Sequence, residues 1–252
     1  MATTPLQLEH LTHLGLKPRR QATLQAFCNA LIDLLGDDLV AIYLFGAAVV
    51  GDWDPDNDNV DLLIVQEKLD FNELQRVAAA LDQQRRALVT PLFMTRAEVL
   101  QSSDVYSLRF DDLKRHHRHL AGEALLEQLT IDPEQLRFVC ELQLRNIVLQ
   151  LRNFYIRSHN QPKLEQKTLM TLLESSRLPL LTLHRMLELG EASTRLAVMK
   201  SLAEGLDVDI EALVEHHSVL QQGGRLNQHA LAQAYSTFNQ LILHAVERVD
   251  RM

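Results

Sequence analysis

The sequence predicts an α/β (α+β) domain with a mixed sheet, followed by an all-α helical bundle. Two observations carry this. Short apolar runs rich in β-branched and aromatic residues lie at 40–45, 59–65 and 87–95, each the length of a buried strand. From Asp132 onward apolar residues recur at helical spacing almost to the end. A third supports them: nine Gly and seven Pro in 252 residues are few, which favours helices over many turns. The two domains are expected at 1–125 and 126–252, with the boundary near 124–131.

Each element follows from its residues. Residues 1–18 read as a loosely packed lead-in. In 19–36, Leu24, Phe27, Cys28, Leu31, Leu34 and Leu35 mark one helix face, and Gly36 ends it. The strand at 40–45 stops at Gly46, where the backbone can turn sharply. The stretch 51–58, with Asp52, Asp54, Pro55, Asp56, Asn57 and Asp58, is dense in turn formers. In the next strand Asn59 and Asp61 share one face. Asp70 and Glu73 form a capping box for a helix at 71–86, with Leu74, Val77, Ala78 and Leu81 inward. A third strand follows at 87–95. Pro91 cannot donate to a ladder, so this strand lies at an edge or is interrupted. Helices are expected on one face of the sheet. Residues 96–100 form a short helix, 102–113 fit loop or helix, and 114–119 (Lys-Arg-His-His-Arg-His) form a basic cluster.

In the second half, Pro133 after Asp132 starts a long helix whose stripe runs from Leu136 to Tyr155. A block at 164–189 must kink or split at Pro179. Further blocks follow at 193–203, at 209–220 with Asp209 as cap, and at 227–249 with Leu231, Phe238, Leu241, Ile242, Ala245 and Val249 inward. Short connections imply antiparallel neighbours.

Composition bounds the function. A net charge of −8 argues against broad, non-specific nucleic-acid binding, which needs excess Lys and Arg. Cys28 and Cys140 sit on apolar helical faces and read as buried free thiols. The N-terminus has no basic, apolar leader, and no run approaches the ~20 apolar residues of a membrane span. The expectation is a cytoplasmic protein without membrane contact. A nucleotide, another protein, or a second copy of the chain in a homo-oligomer stays open as partner.

The stretch Leu44-Phe45-Gly46-Ala47, eleven intervening residues, then Asn59-Val60-Asp61-Leu62-Leu63 carries the chemistry. It resembles the nucleotidyltransferase superfamily, the polymerase-beta-like fold. That family has a strand ending in Gly-Ser, a loop, then Asp-x-Asp on the next strand. Carboxylates at i and i+2 aim at one point, where Mg²⁺ bridges them to nucleotide phosphates. Backbone N–H groups at the Gly turn offer oriented donors to an anion. The resemblance implies Mg²⁺ and a nucleoside triphosphate as ligands. It assigns Asp61 as catalytic residue and metal ligand, Asn59 to the first acidic position, and Gly46 and Ala47 to phosphate contact. The sequence departs from the family in three places. Ala47 replaces Ser, Asn59 replaces Asp, and the strand at 87–95, which supplies the third carboxylate in the family, has none. Thr90 and Leu92 stand nearest that position. The expectation is a nucleotidyltransferase-like protein with an eroded carboxylate triad, either retaining weak nucleotide and Mg²⁺ binding or acting by protein contacts. The alternative is an active Mg²⁺-dependent enzyme that moves NMP from an NTP to a hydroxyl acceptor, drawing acids from elsewhere, such as Asp58 or the bundle.

Other constellations read as structural. The basic cluster fits a phosphate contact or a solvated face, and the solvated face is preferred. Trp53 fits base stacking or cover for the sheet edge, and cover is preferred. The acidic loop lacks the Gly and terminal Glu of a calcium loop. Arg152 and His159 match, at its upper spacing limit, the Arg–His pattern of HEPN-type ribonuclease domains; a surface Arg and a helix-end His explain them as well. The helical second half resembles that of antibiotic nucleotidyltransferases in architecture.

Overall fold

The computed structural model describes residues 11, 14–51, 53–56, 58–82, 88–192 and 194–252. Most of the lead-in, Asp52, Asn57 and the stretch 83–87 lie outside these residues. The chain divides into two compact units, Met1–Asp132 and Pro133–Met252.

The first unit is a four-stranded mixed sheet with helical cover. Its elements are α1 (Pro18–Leu35), β1 (Leu39–Phe45), a single turn α2 (Ala47–Val50), β2 (Val60–Gln66), α3 (Phe71–Leu81), β3 (Val89–Thr95), α4 (Arg96–Gln101), α5 (Ser107–Arg115) and β4 (His117–Gly122). The strand order is β3-β2-β1-β4. β1 pairs antiparallel with β2 and β4, while β2 and β3 run parallel. β3 lies at an edge, the place its Pro91 requires.

Helices cover both faces, not the one face expected from sequence. On one side Leu24, Phe27 and Leu31 of α1 join Ile42, Leu44, Leu62 and Ile64 in one core. On the other, Tyr43, Leu63 and Val65 join Phe110 and Leu113 of α5 with Leu125 and Leu126. The physical reason lies in β1, which is apolar throughout (Leu-Val-Ala-Ile-Tyr-Leu-Phe) rather than alternating, so both its faces must leave water. The phenol of Tyr43 secures the second side. It donates to Glu123 O (2.7 Å) and accepts from Leu125 N (2.6 Å).

β4 is the element that sequence reading missed. It begins inside the basic cluster and gains its pairing from the free edge of β1. It ends at Gly122, whose φ is +85° and where an added Cβ would lie 2.0 Å from Val40 O. The capping box at Asp70 and Glu73 is present. Of the expected inner stripe on α3, Val77 is buried, but Leu74 and Ala78 are exposed. Leu74, Val77, Ala78 and Leu81 instead line a groove shared with Val89, Pro91 and Phe93 at the β3 edge of the sheet. Arg96 ties the ends of two strands together, at 2.9 Å from Glu67 and 2.7 Å from Glu123. It holds the Glu123 carboxyl below its ordinary pKa.

The second unit is all helical: α6 (Pro133–Ser158), α7 (Pro162–Ser175), α8 (Arg177–Met186), α9 (Arg195–Gly205), α10 (Glu211–Gln221) and α11 (Gln228–Asp250). The expected split falls at Ser176, and Pro179 sits in the first turn of α8, where its missing N–H costs no helical bond. Asn227 caps α11 through Ala230 N. Ile210, not Asp209, is the N-cap of α10, and Asp209 accepts from Glu211 N instead (2.8 Å). All six residues assigned inward on α11 are buried. Cys28 and Cys140 are free and buried, and burial pushes each thiol up to about 12.

Candidate functional site

The sequence points to Gly46, Ala47, Asn59 and Asp61 as the site. The structure brings Gly46 and Asp61 together. β1 ends at Phe45, which pairs with Asp61 of β2. The chain then turns at Gly46 with φ +75° and ψ −153°. A Cβ built on Gly46 would lie 2.3 Å from Asp61 Oδ2, so the carboxylate rests directly on the glycine backbone. Only Gly combines this conformation with that approach. Ala47 begins the single turn α2, closed by Val49 N donating to Gly46 O (3.0 Å). Ala47 brings a methyl group where the resemblance puts a hydroxyl.

Asn59 precedes β2, is exposed, and donates from Nδ2 to Thr90 Oγ1 (3.0 Å). Thr90 is itself the register partner of Asp61 across the parallel β2–β3 pair. Paired residues on adjacent strands share a face. The row across the sheet is therefore Thr90, Asp61, Phe45 and His117. Leu92 lies on the same face of β3, two residues on. The β3 positions beside Asp61 thus offer a hydroxyl and an apolar side chain. Among the described residues no group of three or more His, Cys, Asp or Glu side chains is placed to hold a metal ion.

His117 was not singled out from sequence, because its place in the row depends on β4 pairing with β1. Its Nδ1 lies 2.7 Å from Leu113 O and its Nε2 lies 3.4 Å from Glu127 Oε1. The rest of the basic cluster is also engaged within the unit. Lys114 donates to Leu129 O, Arg115 pairs with Asp111 (2.9 Å), His116 with Asp112 (3.0 Å), and the His119 ring lies 5.0 Å from that of Tyr43. The cluster fastens α5 and β4, and Lys114, Arg115 and Arg118 keep exposed side chains, as the solvated-face reading expects.

The loop after Gly46 is latched to the start of α1. Arg20 donates to Pro55 O and Asp58 O, and Lys17 pairs with Asp56 (2.9 Å). The Arg20 guanidinium stands 5.6 Å from the Trp53 ring centroid, and Trp53 packs on the core beneath, the cover preferred from sequence. Asp58 Oδ2 accepts from Asp54 N (2.8 Å). In the second unit, Arg152 is exposed on α6, and His159 follows the helix end with its ring 5.9 Å from Tyr155.

No family model matches the sequence, and neither does any curated protein. A solved structure does match the fold: spectinomycin adenyltransferase AAD(9) from Enterococcus faecialis, determined with ATP and spectinomycin. The TM-score is 0.58 at 13% identity, over 89% of this chain and 98% of that one. The chain has a nucleotidyltransferase-like fold. The likeness covers the mixed sheet and the helical region that follows it. No helix among the described residues is long and apolar enough to cross a membrane.

Proposed function

We propose that this protein is a nucleotidyltransferase-like binder of a nucleoside triphosphate and Mg²⁺, with weak affinity and no nucleotidyl transfer. The observation that carries the reading is the row beside Gly46. One carboxylate, Asp61, rests on the glycine turn, flanked by Thr90, and the Asn59 amide is bonded to that threonine. Mg²⁺ takes hard oxygen ligands, keeps several waters, and accepts one or two carboxylates together with phosphate oxygens. Asp61 fits one such ion arriving with a nucleotide. Backbone N–H groups at Gly46 and Ala47 would receive phosphate oxygens. The same residues do not fit a two-metal clamp, which needs acids on both sides of the ions.

The competing reading is a working transferase, favoured by a likeness that spans 98% of an ATP-bound adenyltransferase. An acceptor hydroxyl would attack the α-phosphorus, pyrophosphate would leave, and the hydroxyl proton would pass to a base. Asp58 is the nearest acid in sequence, but its carboxylate accepts a bond within its own loop.

Calorimetry with MgATP and transfer assays with α-labelled ATP separate the two. Weak binding lost in Asp61→Ala, with no label transferred to small hydroxyl acceptors or to protein, is expected. Asn59→Asp should tighten metal binding and still give no turnover. Transfer by the wild type that vanishes in Asp61→Ala, or clear turnover in Asn59→Asp, would replace this reading with the enzyme.

A further inference from the structure

The helical unit holds a groove of about 420 Å³ between α6 and α11, within the size range of small-molecule sites. Its walls combine aromatic faces with a few polar groups. Tyr155 and Tyr235 meet with ring centroids 5.2 Å apart, and Arg152, Ser236 and Asn239 line the rim. The backing of the wall is fixed. Tyr235 is buried, and its hydroxyl donates to Glu165 O (2.9 Å) and lies against Thr168 Oγ1, so the ring is pinned from behind. Ala232 keeps the α11 side shallow.

The charge distribution selects the occupant. Along the same face of α6, Arg137 and Arg145 both pair with Glu141, at 3.3 and 2.7 Å, and Arg145 also reaches Asp250 (3.2 Å). Arg152 has no hydrogen-bond or ion-pair partner among the described residues. Among the described residues no acid lines the groove. In a chain of net charge −8, an unpaired guanidinium beside an aromatic wall is complementary to an anion with a flat apolar body.

We propose that this groove is a binding site for a planar aromatic molecule carrying one anionic group. The ring lies against the partly exposed Tyr155, with buried Tyr235 as its backing, the anionic group pairs with Arg152, and Asn239 and Ser236 hydrogen-bond polar atoms at the ring edge. The shared chemistry admits an aromatic carboxylate or a nucleoside monophosphate.

The test uses the full chain without Mg²⁺. Naphthalene-2-carboxylate and AMP are titrated separately by calorimetry, with saturation-transfer NMR to detect weak contact. At least one should bind with a Kd of about 1 mM or tighter. Arg152→Gln removes a charge-assisted bond from an exposed position and should weaken binding about tenfold or more. Ser236→Trp fills the groove and should abolish binding. Binding of carboxylate alone or AMP alone identifies which source the site prefers. If neither ligand binds at about 5 mM, or if affinity is the same in wild type and Arg152→Gln, the proposal is wrong. AMP bound equally by wild type, Arg152→Gln and Ser236→Trp, with no binding of the carboxylate, would place AMP outside the groove and also overturn it, while leaving the reading of the Gly46 turn intact.

Discussion

Replacing Gly46 by Ala tests whether the turn is built as described. Two costs arise. The backbone at φ +75° and ψ −153° is a region reserved for Gly, and an L-residue held there costs about 1–3 kcal/mol. The new Cβ would meet Asp61 Oδ2 at 2.3 Å, so the carboxylate must swing away, at about 0.5–1.5 kcal/mol for an off-rotamer side chain. Together the substitution should cost about 1.5–4.5 kcal/mol, a large part of the roughly 5–15 kcal/mol that typically holds a domain folded. The sole tryptophan, Trp53, packs on the core of the same unit and supplies the assay. Its fluorescence in urea should show a midpoint lowered by about 1–2 M. A double-mutant cycle then separates the two costs. Asp61→Ala in the Gly46→Ala background removes the clashing oxygen and should restore the smaller, steric share, while the backbone share stays. A Gly46→Ala midpoint equal to wild type, or no recovery in the double mutant, would refute the contact between glycine and carboxylate.

Two further outcomes follow from buried polar groups. Tyr43→Phe strands Glu123 O and Leu125 N on the inner face of the sheet and should destabilise the first unit by about 1–3 kcal/mol; a change below about 0.5 kcal/mol by the same fluorescence assay would contradict the bonding described. His184 is buried against Ser201 Oγ (3.0 Å), and burial, helped by Arg185, lowers its pKa. The unfolded chain therefore binds the proton more readily, so stability is complete above the ordinary histidine pKa of about 6.5 and falls as pH drops below it. Helical circular dichroism during urea unfolding should show a lower midpoint at about pH 5 than at about pH 7.5, and His184→Gln should flatten that difference; an unchanged slope in His184→Gln would exclude His184 as its source.

Local sequence determined much of this protein. The apolar run of β1, the alternation that leads to Asp61, the capping box at Asp70 and the inward stripe of α11 are each set by neighbours a few residues apart, so spacing reveals them. The mixed sheet followed by helices was legible for that reason, and so was the edge position of β3 from Pro91. The tertiary structure decided what depends on partners distant in the chain. β4 has the composition of a solvated basic cluster and is a strand because β1 has a second edge to fill. Cover on both sheet faces needs α5 and the Leu125–Leu126 turn, which lie about 45–85 residues from Tyr43, Leu63 and Val65, the sheet residues they bury. At the site, the sequence named Gly46 and Asp61, but the seating of the carboxylate on the glycine is a contact between two strands. The bond from Asn59 to Thr90 is likewise set by the register of a parallel pair. That register cannot be read from either strand alone, because a shift of one residue would send Thr90 to the opposite face.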